Sequence, residues 1–92
     1  MTIQEMLSNQ NVEIIDVRST GEYMQGHVAG SLNIPLNEIP DRINEIKKII
    51  GPKLLVCASG NRSGQAEQFL RSEGLEDVYN AGSWSVVKMH RI

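Results

Sequence analysis

Apolar residues along this chain alternate between two spacings. Residues 13–17 and 54–57 are tight runs (Glu13-Ile14-Ile15-Asp16-Val17 and Leu54-Leu55-Val56-Cys57) that read as buried strands. Residues 31–34 make a second, shorter strand stopped by Pro35, and Val78-Tyr79 makes the last. Between these runs the spacing widens to that of a helix. Residues 2–8 place Ile3, Met6 and Leu7 on one face of a short opening helix, and Ser19-Thr20-Gly21-Glu22 has the form of a capping box starting a brief helix to about Gln25. Ile39, Ile43, Ile46 and Ile50 recur at intervals of four, three and four, which predicts a helix over 37–50 with Pro40 in its first turn and Gly51-Pro52 as its stop. A further run of helix formers begins near Arg62 and predicts a helix over 64–72, ended by Gly74.

Strands that alternate with helices imply an α/β fold, a mostly parallel sheet covered by helices on both faces, and in such sheets sites form beyond the carboxyl ends of the strands. With 92 residues and no internal repeat, low-complexity tract or linker, residues 1–92 form one domain. A domain of this size buries roughly 60–70% of its unfolded-chain surface, enough for one modest core. Nine basic and eleven acidic side chains give a net charge of −2, which calls for neither a nucleic-acid nor a membrane partner. One cysteine permits no internal disulfide and no cysteine-based zinc site, and His27 and His90 are too isolated for a metal cluster. Residues 1–10 carry Glu5, Ser8, Asn9 and Gln10 among their apolar residues, so they hold neither a signal-peptide core nor a membrane span. The expectation is a monomer in a reducing cytoplasm.

The lone cysteine is the most informative residue. A free cysteine at a strand end is usually small core filling. Here Cys57 opens the small-residue loop Ala58-Ser59-Gly60-Asn61, which closes on Arg62-Ser63-Gly64 as a helix begins. A packing cysteine needs none of that. A thiol placed before the positive end of a helix meets unpaired N–H groups and the macrodipole, which favour its thiolate, the reactive form. Cys57 is the candidate nucleophile, and the backbone of Ala58, Ser59, Gly60, Asn61, Arg62 and Ser63 is the candidate anion cradle.

Four stretches, in order, carry a family resemblance: Ile14-Ile15-Asp16-Val17-Arg18 with Glu22-Tyr23; residues 26–35 from Gly26-His27 to Ile34-Pro35; the loop from Cys57 to Ser63; and Val78-Tyr79-Asn80-Ala81-Gly82-Ser83-Trp84. The chain resembles a single-domain rhodanese, a rhodanese-like sulfurtransferase, across most of its length. That resemblance implies a three-layer fold and a reaction in which the Cys57 thiolate takes the outer sulfur of an anionic donor such as thiosulfate. Sulfite leaves, and the Cys57 persulfide passes its sulfur to cyanide or a cellular thiol, with a sulfur-accepting protein as an alternative acceptor. No cofactor or metal is implied, and neither a dinucleotide fingerprint nor a phosphate loop ending in Gly-Lys-Ser/Thr is present.

The neighbours of Cys57 divide by role. Arg62 either orients the donor's sulfonate or braces the loop, since a cation at a helix start is otherwise slightly unfavourable. The side chains of Ser59, Asn61 and Ser63 are expected to hold the loop by hydrogen bonds rather than to touch substrate. Asp16 and Arg18 follow the first strand, where a buried charge must be paired, and support the site structurally; Arg18 can also meet Glu22. His27 falls in a stretch that resembles a structural turn of the family, and Tyr79 and Trp84 read as core or pocket wall. Two departures from the family stand out: Ala81-Gly82-Ser83 where paired glycines are common, and only eight residues after Trp84, which predicts a short closing helix. Lys88, His90 and Arg91 make a small basic end.

Two other chemistries share these residues. Cysteine-dependent phosphatases and arsenate reductases use a Cys loop that ends in Arg, but four residues separate Cys57 from Arg62 where the phosphatase pattern has five, and no acid is nominated to protonate a leaving oxygen. A sulfur-carrier or regulatory binding module is the third reading.

Overall fold

Strands β1 (Glu13–Asp16), β2 (Leu32–Asn33), β3 (Lys53–Cys57) and β4 (Val78–Ser83) lie side by side in the order β2-β1-β3-β4, every neighbouring pair parallel. The computed structural model describes residues 2–9 and 11–90. Met1, Gln10, Arg91 and Ile92 lie outside the described residues, and with Arg91 goes one member of the basic end. Parallel neighbours need crossovers, and five helices supply or flank them: α1 (Ile3–Leu7), α2 (Thr20–Gln25), α3 (Ile43–Lys47), α4 (Asn61–Ser72) and α5 (Trp84–His90).

Strand β3 is central and buried at all five positions, so its side chains alternate into two cores. Leu54 and Val56 pack with Ile14, Met6 and Leu7 of α1 and Val87 of α5. Leu55 and Cys57 face the other way and pack with Ile15, Ile46 of α3, and Ala66 and Leu70 of α4. The layers are therefore helix, sheet, helix, and the thiol of Cys57 leaves the sheet on the α4 side.

The capping boxes explain the short helices. Ser19 accepts from the Glu22 amide while the Glu22 carboxylate accepts from the Ser19 amide, and Thr2 and Glu5 repeat the arrangement at α1.

The helix expected over 37–50 is not continuous. Two 3-10 turns, Leu36–Glu38 and Pro40–Arg42, precede a five-residue α3 that ends at Lys47. Pro40 has no N–H to give to Leu36, so the chain tightens there into three-residue turns, with the Arg42 amide donating to the Ile39 carbonyl. The stripe then loses phase. Ile39 and Ile46 are buried, whereas Ile50 is 93% exposed and Ile49 packs against the core in its place.

Strand β4 runs longer than Val78-Tyr79. It carries a bulge: Leu55 pairs with Asn80 and Val56 with Gly82, which leaves Ala81 as the extra residue. Gly82 has φ +83°, the backbone angle that lets the strand swing past the bulge toward the Cys57 loop.

Candidate active site

Cys57 is the last residue of β3, and α4 starts four residues later at Asn61. Gly60, with φ +95°, makes the turn between them, and a Cβ there would stand 3.4 Å from the Cα of Gly82. Only glycine allows both the left-handed backbone and that approach. The N-terminus of α4 has no side-chain cap from Gly60. The sulfur takes that role: the Gly60 amide donates to Cys57 Sγ at 3.0 Å and the Ser63 amide, three residues into the helix start, at 3.4 Å. Cys57 is only 1% exposed, so its sulfur is held within the loop's own backbone.

Burial pushes the Cys57 thiol up. Hydrogen bonds from the hydroxyl and amide of Ser63 and from the amides of Ser59 and Gly60 outweigh it, and the net shift is below the ordinary thiol value. The Ser63 hydroxyl is contested. Its Oγ lies 3.3 Å from Sγ and 2.6 Å from Asn80 Oδ1. Asn80 is pinned in orientation, because its Nδ2 donates to the Gly60 carbonyl and its Oδ1 also accepts from the Gly82 amide. The one hydroxyl proton therefore goes to Asn80 while Cys57 is a neutral thiol, and the S–H points at Ser63 Oγ. Formation of the thiolate turns that hydroxyl toward sulfur.

Asn80 is a site residue to which the sequence reading assigned no role. It ties β4 to the loop at Gly60 and Ser63, and a Cβ on Gly64 would stand 3.2 Å from its Nδ2. The signal in the sequence was an amide side chain placed next to Ala81-Gly82-Ser83, a stretch poor in strand formers that nonetheless follows a strand.

Of the three loop side chains expected to hold the backbone, that of Ser63 enters this network; Ser59 and Asn61 are exposed. Asp16 and Arg18 form a closed unit at the end of β1. The Asp16 carboxylate takes the Arg18 amide and the guanidinium at 2.8 to 3.1 Å, and the guanidinium also donates to the Gly26 carbonyl at 2.7 Å. Arg18 Cζ lies 4.4 Å from the Trp84 ring, so Trp84 roofs this pair. Arg18 does not meet Glu22. That carboxylate is taken by Arg62, in a two-pronged pair at 2.7 and 3.0 Å. His27 stacks on Tyr23 and sets its Nδ1 2.8 Å from the Tyr23 carbonyl, within the turn that precedes β2.

A cavity of about 300 Å3 opens beside Arg62, walled by Val17, Ser19, Pro35, Leu36 and Asn37. Another cavity, about 610 Å3, lies at the opposite end of the strands around Gly51, Lys53 and residues 74–77, and touches none of these groups. Among the described residues no helix is long and apolar enough to cross a membrane, and no group of three or more His, Cys, Asp or Glu could hold a metal ion.

A parallel three-layer domain whose central strand ends in a cysteine held by backbone amides at a helix start defines a cysteine-loop class of α/β fold. Within that class the chain belongs to the Rhodanese-like domain family, whose model matches residues 2–90. It is similar to thiosulfate sulfurtransferase PspE of Escherichia coli, 36% identical over an alignment of 85 residues that covers 85% of this chain and 76% of that protein. It is also similar to the uncharacterised protein YqhL of Bacillus subtilis, 41% identical over 71 residues, 77% of this chain and 56% of that protein. A solved rhodanese with anions from E. coli matches with a TM-score of 0.73 at 37% identity, over 80% of this chain and 88% of that one. The chain spans about half the length of the first curated relatives it matches, 56% and 41%.

Proposed function

We propose that this chain is a sulfurtransferase that carries sulfane sulfur on Cys57. The Cys57 thiolate attacks the outer sulfur of thiosulfate or a related anionic donor; a new S–S bond forms, the old one breaks, and sulfite leaves with its electron pair. Cyanide or a thiol then attacks the outer sulfur of the persulfide and returns the Cys57 thiolate. No step calls for a metal, flavin or nucleotide. The observation that carries this reading is the convergence of the Gly60 and Ser63 amides on one sulfur at the head of α4. Such preset donors stabilise negative charge where it develops, and removing one from a site of this kind costs roughly 3–4 kcal/mol of transition-state stabilisation.

A phosphatase or arsenate-reductase reading is weaker on the same geometry. It needs the loop arginine to embrace an oxyanion, and Arg62 embraces Glu22.

Intact-mass spectrometry after thiosulfate, and again after cyanide, tests the proposal. The expected result is a gain of one sulfur atom that cyanide removes as thiocyanate and that Cys57→Ser does not show. A reduced, alkylatable Cys57 that gains no sulfur from thiosulfate or from an organic persulfide overturns it.

A further inference from the structure

Arg62 is the cation that the cysteine loop itself carries, and it is already satisfied. Both of its terminal nitrogens are held by Glu22, and Glu22 is itself rooted: its Oε1 also accepts from the Ser19 amide at 3.1 Å and the Ser19 hydroxyl at 3.0 Å. An incoming sulfonate that wanted the same guanidinium fork would have to displace a carboxylate that is also the cap of α2. Its bond to Arg62, and next its bonds to Ser19, hold Glu22 at a pKa of about 2, so it is ionised whenever the protein is at work. The other guanidinium at this end of the sheet, Arg18, is matched by Asp16, and Lys88 is directed to the Trp84 ring at 5.8 Å.

The charge around the loop is thus close to balanced, and the attraction offered to an anion is that of amides rather than of a free cation. Because Glu22 cancels the attraction of Arg62, a dianion such as thiosulfate loses twice as much of that attraction as a singly charged donor does. The cavity on the Arg62 side adds a second, independent observation. Its surface is mostly apolar, one for which thiosulfate has no complement and an organic donor has.

We propose that Glu22, by occupying Arg62, makes this site select singly charged organic persulfides over thiosulfate, with the carbon-bearing part of the donor lodged in the apolar cavity beside Arg62. The inference rests on the sulfurtransferase reading above and names its preferred donor class. The step balances without an oxidant: the Cys57 thiolate bonds to the outer sulfur of the persulfide anion R–S–S−, the donor's S–S bond breaks, R–S− leaves with that electron pair, and the transferred sulfur keeps its negative charge as the Cys57 persulfide.

The test compares kcat/KM for thiosulfate and for cysteine persulfide, both with cyanide as acceptor and with Cys57→Ser as the blank, in the wild-type chain and in E22Q. Glutamine keeps the shape and can still accept from the Ser19 amide, so the cap of α2 survives while the charge goes. The wild-type chain is expected to favour cysteine persulfide. E22Q is expected to raise kcat/KM for thiosulfate roughly tenfold, to leave cysteine persulfide within about threefold, and to make the thiosulfate rate fall more steeply with added salt. A wild-type chain that uses thiosulfate more efficiently than cysteine persulfide overturns the inference even if E22Q fails to fold. So does an E22Q chain whose donor ratio and salt dependence match wild type. Sulfur on Cys57 from neither donor overturns the sulfurtransferase reading itself, a result distinct from either of these.

Discussion

Arg18 and Arg62 each meet a carboxylate at the carboxyl end of the sheet, in two regions that differ in their access to water. Beneath the site, Asp16 is fully buried and Arg18 is 4% exposed, with its Nε and Nη2 donating to Asp16 and to the Gly26 carbonyl and its Cζ under the Trp84 ring. On the rim, the side chains of Arg62 and Glu22 are 35% and 39% exposed. A buried pair has lost its water, so taking away one partner strands the other charge. A rim pair can exchange its partner for water, salt or substrate at little cost. The first region therefore sets where β1 and the Gly26 turn stand; the second is free to tune what enters the loop.

The largest effect should come from breaking the buried region. Asp16→Ala leaves Arg18 uncompensated and the Arg18 amide without its acceptor, and the expected loss is roughly 3–5 kcal/mol, read as a fall in the urea midpoint. Replacing both residues, Asp16→Leu with Arg18→Met, should recover part of that loss by removing the stranded charge, though the orphaned amide keeps it from full recovery. A single Asp16→Ala chain as stable as wild type would show that the two regions do not differ in the way their burial implies.

Asn80, on β4, reaches the sulfur only through Ser63 and Gly60. Asn80→Asp places a carboxylate on the Ser63 hydroxyl, holds its proton away from sulfur, and adds a like charge near the developing thiolate. The Cys57 pKa should rise, so that at neutral pH less thiolate is present and alkylation slows. Asn80→Ala instead releases the hydroxyl to sulfur and should not raise the pKa, although it loosens the loop. The pH profile of iodoacetamide alkylation separates the two, and an unchanged midpoint in Asn80→Asp would remove Asn80 from any part in setting the thiol.

The strands β1 and β3, the capped start of α2 and the Cys57 loop were legible in the sequence because each is encoded by neighbours in the chain: apolar runs, a Ser-x-x-Glu box, and small residues before a helix. What was not legible depends on residues far apart. Glu22 finds Arg62 across 40 positions and Asn80 finds Ser63 across 17, and no local pattern announces either contact. Glu22 was visible as a cap, which hid its second task. The broken helix over 37–50 is a different kind of miss: isoleucine periodicity and Pro40 both spoke, and the proline's missing donor decided the backbone where the spacing of apolar residues did not. Strand β4 was read short because Asn80, Ala81 and Gly82 are poor strand formers, and pairing with the buried β3 overrides that preference.

The smallest effect on stability is expected at the rim, and it carries the sharpest test of whether the pair exists in solution. Arg62, then the Ser19 amide and hydroxyl, depress the Glu22 pKa from the ordinary 4.5 to about 2. A carboxylate depressed in the folded state contributes stability that is fully present above 4.5 and is lost as the pH falls through about 2. The clamp should therefore survive through the whole range in which a persulfide can form, and only strong acid should open it. Following the Glu22 carboxyl resonance by NMR should give a midpoint of about 2 in the wild-type chain. In Arg62→Ala the midpoint should climb but stay below 4.5, because Ser19 still donates to Oε1. A wild-type midpoint no lower than that of Arg62→Ala would mean that Arg62 stands free, and the charge discrimination ascribed to Glu22 would fall with it.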